Sequence, residues 1–189
     1  MTSKTRVLGP VRDDTALIIV DMQERLLPAM PEKPRKQMLR NAGILIETAK
    51  ALGLPILVSE QYPKGLGPTV DEIAGAIDNF KPLEKMVFSA ARDAGFRQRL
   101  DEVGRSSCIV TGVENHVCVL QTALDLAASG KNVYVARDAT CSRTEENWKA
   151  GCAQMAEGGV QITTTEILVF QLLGEAGTEA FKKISKLVR

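Results

Sequence analysis

Three side chains of this sequence have types suited to nucleophilic chemistry. They are Asp21 in "LIIVDMQ", Lys85 in "LEKMVFS" and Cys118 in "VTGVENHVCVLQ". A thiol becomes a strong nucleophile once it loses its proton. A carboxylate within reach can take that proton and later return it to a leaving group. An ammonium beside both favours their charged forms. Cys118 also falls near the start of a helical pattern, where the positive end of the helix dipole favours thiolate. Backbone N–H groups in the turn before that helix would be placed to bind a developing oxyanion. Each residue also has a plainer reading. Asp21 can be a turn or cap residue, Lys85 a solvated surface side chain, and Cys118 a core thiol. Spacing alone leaves both readings open.

The elements that must position these residues can be read from the hydrophobic pattern. Short apolar runs rich in β-branched residues predict strands at 16–21, 55–60, 84–89, 107–112, 132–137 and 160–165. None alternates strictly, so each is expected to be buried on both faces, as in a parallel sheet. Helical patterns lie between them. In the stretch 35–53, Met38, Leu39, Ala42, Leu45, Ile46 and Ala49 share one face, and Gly53 is a plausible C-terminal cap. Stretches 92–104, 116–130 and 144–159 follow the same habit. Residues 61–82 read as loop with one short helix, and a loop that long is often functional. Strands alternating with helices predict an α/β fold, a doubly wound parallel sheet of about six strands with helices on both faces. The 189 residues read as a single domain, 1–189. Ligands of such sheets lie beyond the carboxyl ends of the strands. Asp21, Lys85 and Cys118 are all predicted at that edge.

Composition removes several function classes. The net charge is +1 and no basic stripe is present, which gives no footprint for nucleic acid. No apolar run approaches the roughly 20 residues needed to cross a bilayer, and the first residues lack a secretory h-region. The expected address is a reducing cytoplasm. The four cysteines, Cys108, Cys118, Cys141 and Cys152, form no CxxC pair, and His116 is the only histidine. A Cys/His zinc site is therefore not expected. Cys108 and Cys152 read as small buried hydrophobes. No GxGxxG follows the first strand, so no dinucleotide is expected.

Taken together, "TALIIVDMQERL", "EKMVFSA" and "VTGVENHVCVLQTALDLAASGKNVYVARDATCSR" resemble the isochorismatase-like cysteine hydrolase superfamily. The likeness runs from about Thr15 to about Leu173, with the three motifs in the family's order. It implies that Asp21 is the general base, Lys85 the second triad member and Cys118 the nucleophile. It also implies a non-proline cis peptide between Val113 and Glu114, with the N–H groups of Glu114 and Cys118 turned toward the oxyanion. "SEQYPKGLGPTV" and "TTTEILVFQLLGEA" are similar to segments of the isochorismatase domain-containing hydrolases, a subgroup of loosely defined activity.

Two departures from better-known members narrow the expected activity. Nicotinamidases of the superfamily hold a metal with an Asp and two His after the second strand. Here that loop reads "SEQYPKGLG" without histidine, so no metal and no cofactor are expected. His116 is expected to pack or hydrogen-bond near the turn. Members resembling the isochorismate-cleaving branch generally lack the nucleophilic cysteine, which this chain keeps. The sequence therefore predicts a metal-independent hydrolase of a small amide or related C–N bond. The alternatives are vinyl ether hydrolysis, or a non-catalytic binding protein that kept the fold. Gln61, Tyr62, Phe88 and Arg143 are the candidate pocket residues, with Arg143 facing an anionic group or solvent. Family likeness and the apolar "TTTEILVFQLLG" predict a homo-oligomer acting on a small molecule.

Overall fold

A computed structural model describes residues 9–188. Six parallel strands form one sheet: β1 (Thr15–Val20), β2 (Ile56–Gln61), β3 (Leu83–Lys85), β4 (Ser107–Gly112), β5 (Asn132–Thr140) and β6 (Gln161–Thr163). Their spatial order is β3-β2-β1-β4-β5-β6, so the winding reverses between β1 and β4. β1 and β4 are buried along their whole length. This agrees with their unbroken apolar sequences, since helices cover both faces of a parallel sheet.

Successive residues of β1 face opposite layers. Leu17 and Ile19 pack against α1 (Glu32–Leu52), α7 (Thr165–Leu173) and α8 (Glu179–Ile184). Ala16, Ile18 and Val20 pack against α4 (Ala94–Val103), α5 (Leu120–Ala128) and α6 (Glu145–Glu157). The helix ends follow their sequence. Asp93 caps α4 by accepting from the Phe96 N–H at 3.0 Å. Gly53 ends α1 at φ 71°, where a side chain would be strained.

The structure departs from the sequence pattern at three places. β3 stops at Lys85, because Met86, Val87 and Phe88 bend away and are exposed. β5 runs on to Thr140, with a register shift opposite β4 between Val110 and Gly112. Residues 61–82 hold two short helices, α2 (Pro63–Leu66) and α3 (Asp71–Ala74). A buried glutamine ties this segment to β2. Gln23 Nε2 donates to the carbonyls of Gln61 and Gly67, and its Oε1 accepts the Gln61 N–H. The apolar helix α7 buries Leu168, Val169, Leu172 and Leu173 within the chain, and of its apolar side chains only Ile167 and Phe170 are exposed. Most of the apolar character assigned above to an interface thus belongs to the core. Among the described residues, no helix is long and apolar enough to cross a membrane.

Candidate active site

Strand register brings the candidate residues together. Val20 lies opposite Ser59 on one side and Gly112 on the other, and Gln61 lies opposite Lys85. Asp21 follows β1, Lys85 ends β3, and the segment after Gly112 leads to Cys118. All stand at the carboxyl edge where the winding reverses, the usual ligand position in such sheets.

Asp21 sits at φ 52°, a left-handed conformation that Asp tolerates better than most residues. Its carboxylate is fully buried and divided between partners. Oδ2 accepts from Lys85 Nζ at 2.7 Å, and Oδ1 accepts from Ser59 Oγ at 2.7 Å. Its charge also acts on the neighbouring Cys118 thiol. Lys85 Nζ donates further to Gln61 Oε1 at 2.7 Å and lies near the carbonyls of Val87 and Phe88. Burial pushes the Asp21 carboxyl up from its ordinary value, against the opposing pull of Lys85, Ser59 and Cys118.

Cys118 lies in a π-helical turn (Asn115–Val119) that runs into α5. Such turns are uncommon and frequent at functional sites. The peptide between Val113 and Glu114 is cis. The thiol contradicts the expectation of a resting thiolate. Burial, then the negative charge of Asp21, push it up to about 12, and Lys85 offsets only part of this. The expectation weighed helix dipole and ammonium but not loss of water. Burial and the neighbouring carboxylate thus favour the neutral thiol.

The turn is braced from β5's far end. Asn115 N–H donates to the Cys141 carbonyl at 2.8 Å. His116 Nδ1 lies 2.9 Å from Ser142 Oγ, a packing and hydrogen-bonding place for the lone histidine. Arg143 Nε donates to Glu114 Oε2 at 2.7 Å, so this guanidinium is engaged with the turn. Gln61 likewise serves Lys85, and its Nε2 donates to the Met86 carbonyl. Tyr62 and Phe88 are 47% and 54% exposed, so Phe88 is neither core nor a closed wall. Tyr62, Lys85, Met86 and Val87 line a cleft of about 460 Å³ that includes neither Asp21 nor Cys118.

With this geometry in hand, the chain can be set beside known proteins. The isochorismatase domain model matches residues 15–167. The chain belongs to the isochorismatase family. Within it, the mouse isochorismatase domain-containing protein 2A is 35% identical over 193 residues, covering 100% of this chain and 90% of that protein. A Caenorhabditis elegans structure described as MAR1 ribonuclease superposes with TM-score 0.88 at 32% identity, covering 95% of this chain and 92% of that one. The YcaC gene product of Escherichia coli, described as an octameric hydrolase of unknown specificity, shares the fold at TM-score 0.89 and 22% identity, covering 96% and 91%.

In this isochorismatase-family chain two residues of β2 support the cluster. Ser59 bonds the Asp21 carboxylate directly, and Gln61, a candidate pocket residue, orients Lys85. Their spacing of two on β2 puts both on one face, and that was a usable signal. Glu60, from the other face, accepts both the N–H and the hydroxyl of Thr69 and fixes the following loop. Among the described residues, no group of three or more His, Cys, Asp or Glu side chains gathers as metal ligands would.

Proposed function

We propose that this isochorismatase-family protein is a metal-independent cysteine hydrolase of a small amide or related C–N bond. The observation that carries the reading is the Asp21 carboxylate, buried, ion-paired to Lys85 and close enough to the Cys118 thiol for its charge to act on it.

A raised carboxyl is a stronger base than an exposed one, which suits it to accept a thiol proton. The thiol is held neutral at rest, so proton transfer to Asp21 accompanies attack of sulfur on the acyl carbon. The oxyanion formed is met by the amides of Glu114 and Cys118. Asp21, now protonated, gives its proton to the leaving nitrogen as the C–N bond breaks and a thioester remains. Asp21 then takes a proton from water, whose oxygen attacks the thioester. Collapse releases the carboxylic acid, and the proton returns to sulfur. Lys85 keeps the carboxylate charge balanced and its oxygens oriented throughout.

The ribonuclease description of the worm relative raises RNA cleavage as a second reading. The near-neutral charge and the engagement of His116 with Ser142 speak against it. We also propose that copies of the chain associate in a cytoplasmic setting. The exposed Tyr62, Met86, Val87 and Phe88 beside the site and the octameric E. coli hydrolase support association. A solution mass near 20.5 kDa by light scattering would count against it.

The test is a panel of small amides, ureas, isochorismate and a short RNA, assayed with native protein and Cys118→Ala. The proposal requires turnover of an amide or urea by the native protein alone. Isochorismate turnover that survives Cys118→Ala would replace it with ether hydrolysis, and RNA turnover with the ribonuclease reading.

A further inference from the structure

One cleft lies apart from Asp21, Lys85 and Cys118. It has a volume of about 520 Å³ and opens between the start of α1, the end of β5 and the start of α6. None of Asp21, Lys85 and Cys118 lines it. Its size falls within the roughly 300–1,000 Å³ range of small-molecule sites.

Its walls are flat and apolar where Pro31, Pro34, Cys141 and Trp148 meet. The indole is fixed in place, because Nε1 donates to the Arg137 carbonyl at 3.2 Å and lies 3.1 Å from Thr140 Oγ1. The Arg137 guanidinium stands 5.0 Å from the Trp148 ring centroid. The rim carries two carboxylates, and both are engaged. Asp138 Oδ1 accepts from the N–H and hydroxyl of Thr165, and Glu145 pairs with Lys149 at 2.7 Å. Arg137 has no ion pair among the described residues, and its guanidinium rests against the Trp148 ring. Gln37 lies on the same rim and offers an amide.

We propose that this cleft is a second small-molecule site for a single-ring aromatic carboxylate, its ring among Pro31, Pro34 and Trp148 and its carboxylate on Arg137. A planar ring matches the proline and indole surfaces, and guanidinium binds carboxylate through parallel donors. The site is independent of the hydrolase reading. Its floor is nonetheless joined to the catalytic turn, because the Cys141 N–H donates to the Gly112 carbonyl.

Trp148 is the only tryptophan of the chain, so its fluorescence reports on this cleft. The experiment is a titration of the full-length protein with benzoate, with benzamide as the uncharged counterpart. A saturable change with benzoate is expected. Benzamide should bind about tenfold or more weakly, because it lacks the charge. Arg137→Gln and Gln37→Glu should each weaken benzoate by a similar factor, the first by removing the cation and the second by adding a repelling carboxylate. Cys118→Ala should titrate like the native protein. A flat benzoate titration up to about 10 mM overturns the assignment, since a weaker site has no useful affinity. Equal affinity in both rim variants, or loss of the titration in Cys118→Ala, overturns it too.

Discussion

Lys85 Nζ lies 2.7 Å from Asp21 Oδ2, and the side chains are 1% and 0% exposed. Two opposite charges removed from water depend on each other. Taking away one leaves the other buried and unpaired, which costs roughly 3–5 kcal/mol. Lys85→Met should therefore lower unfolding stability strongly, and Asp21→Asn/Lys85→Met should recover much of the loss. Urea melts of the singles and the double decide the matter. Simple additivity would mean that the pair is screened by water.

The thiol gives a prediction with an unusual sign. The Asp21 charge helps hold Cys118 at about 12. In the native protein, iodoacetamide labelling of Cys118 should be slow near neutral pH and keep rising through about pH 10, because thiolate is the reactive form. Asp21→Asn removes the repelling charge and leaves Lys85 cationic. Its labelling profile should move to lower pH even though turnover is lost. Peptide-mapped rates across pH are the measurement. A shift to higher pH in the variant would show that the carboxylate acts on the thiol mainly as its proton acceptor.

Alkaline stability should depend on thiols with no place in the chemistry. Cys108 is fully buried and burial pushes it up to about 11 from 9.0. Its folded value exceeds its unfolded one, so the unfolded chain loses this proton first as pH rises. The stabilising contribution is complete below about pH 9 and fades as pH climbs toward 11. By pH 10.5 about 2 kcal/mol of it has been lost. Cys108→Ala should lose less stability than the native protein between neutral and alkaline pH, as read from urea midpoints at the two conditions.

Gly112 is constrained by its neighbour. Its φ is 127°, and an added Cβ would stand 2.7 Å from the Val20 nitrogen and closer still to the Val20 carbonyl oxygen. This glycine lets β4 approach β1 closely, one residue before Asp21. Gly112→Ala should cost roughly 3 kcal/mol or more, since both strain and overlap fall on rigid backbone. A thermal melt within a degree or two of the native one would show that β1 and β4 can separate locally without harm.

The sheet was legible because β1 and β4 are continuous apolar runs and the helical stretches 35–53, 92–104, 116–130 and 144–159 each end in glycine. Pattern decides burial, and burial decides layers. Lengths were less legible. "EKMVFS" has the composition of a strand, yet only its start pairs with β2, and Met86 to Phe88 turn outward where no neighbour covers them. The placing of Asp21, Lys85 and Cys118 at one edge followed from one rule about strand ends. The electrostatics did not, because local sequence carries the helix dipole and the nearby charges but not the depth of burial. Arg143 shows the same limit. Its type announced an anion, and the anion present is Glu114 of its own chain.

The triad makes the sharpest demand on the whole reading. If Asp21, Lys85 and Cys118 serve one step, each single substitution should remove most of kcat/KM, and combinations should add little. Losses of about 10³-fold or more per residue, far from multiplicative, are typical of such groups. Cys118→Ser tests the nucleophile separately, because a hydroxyl yields its proton much less readily than a thiol. It should retain the buried pair and the fold, and still fail to turn over. Asp21→Asn is a fair probe of the base, because asparagine also tolerates the φ of 52° at this position. Its product with Cys118→Ala should be no slower than Cys118→Ala alone. Trapping completes the argument. Acid quenching with a slow amide substrate should leave an acyl mass on the Cys118 peptide of the native protein and none in Cys118→Ser. If Cys118→Ala keeps near-native turnover while Asp21→Asn loses it, sulfur is a bystander. Asp21 then acts as an acid, and ether cleavage becomes the better account of the site.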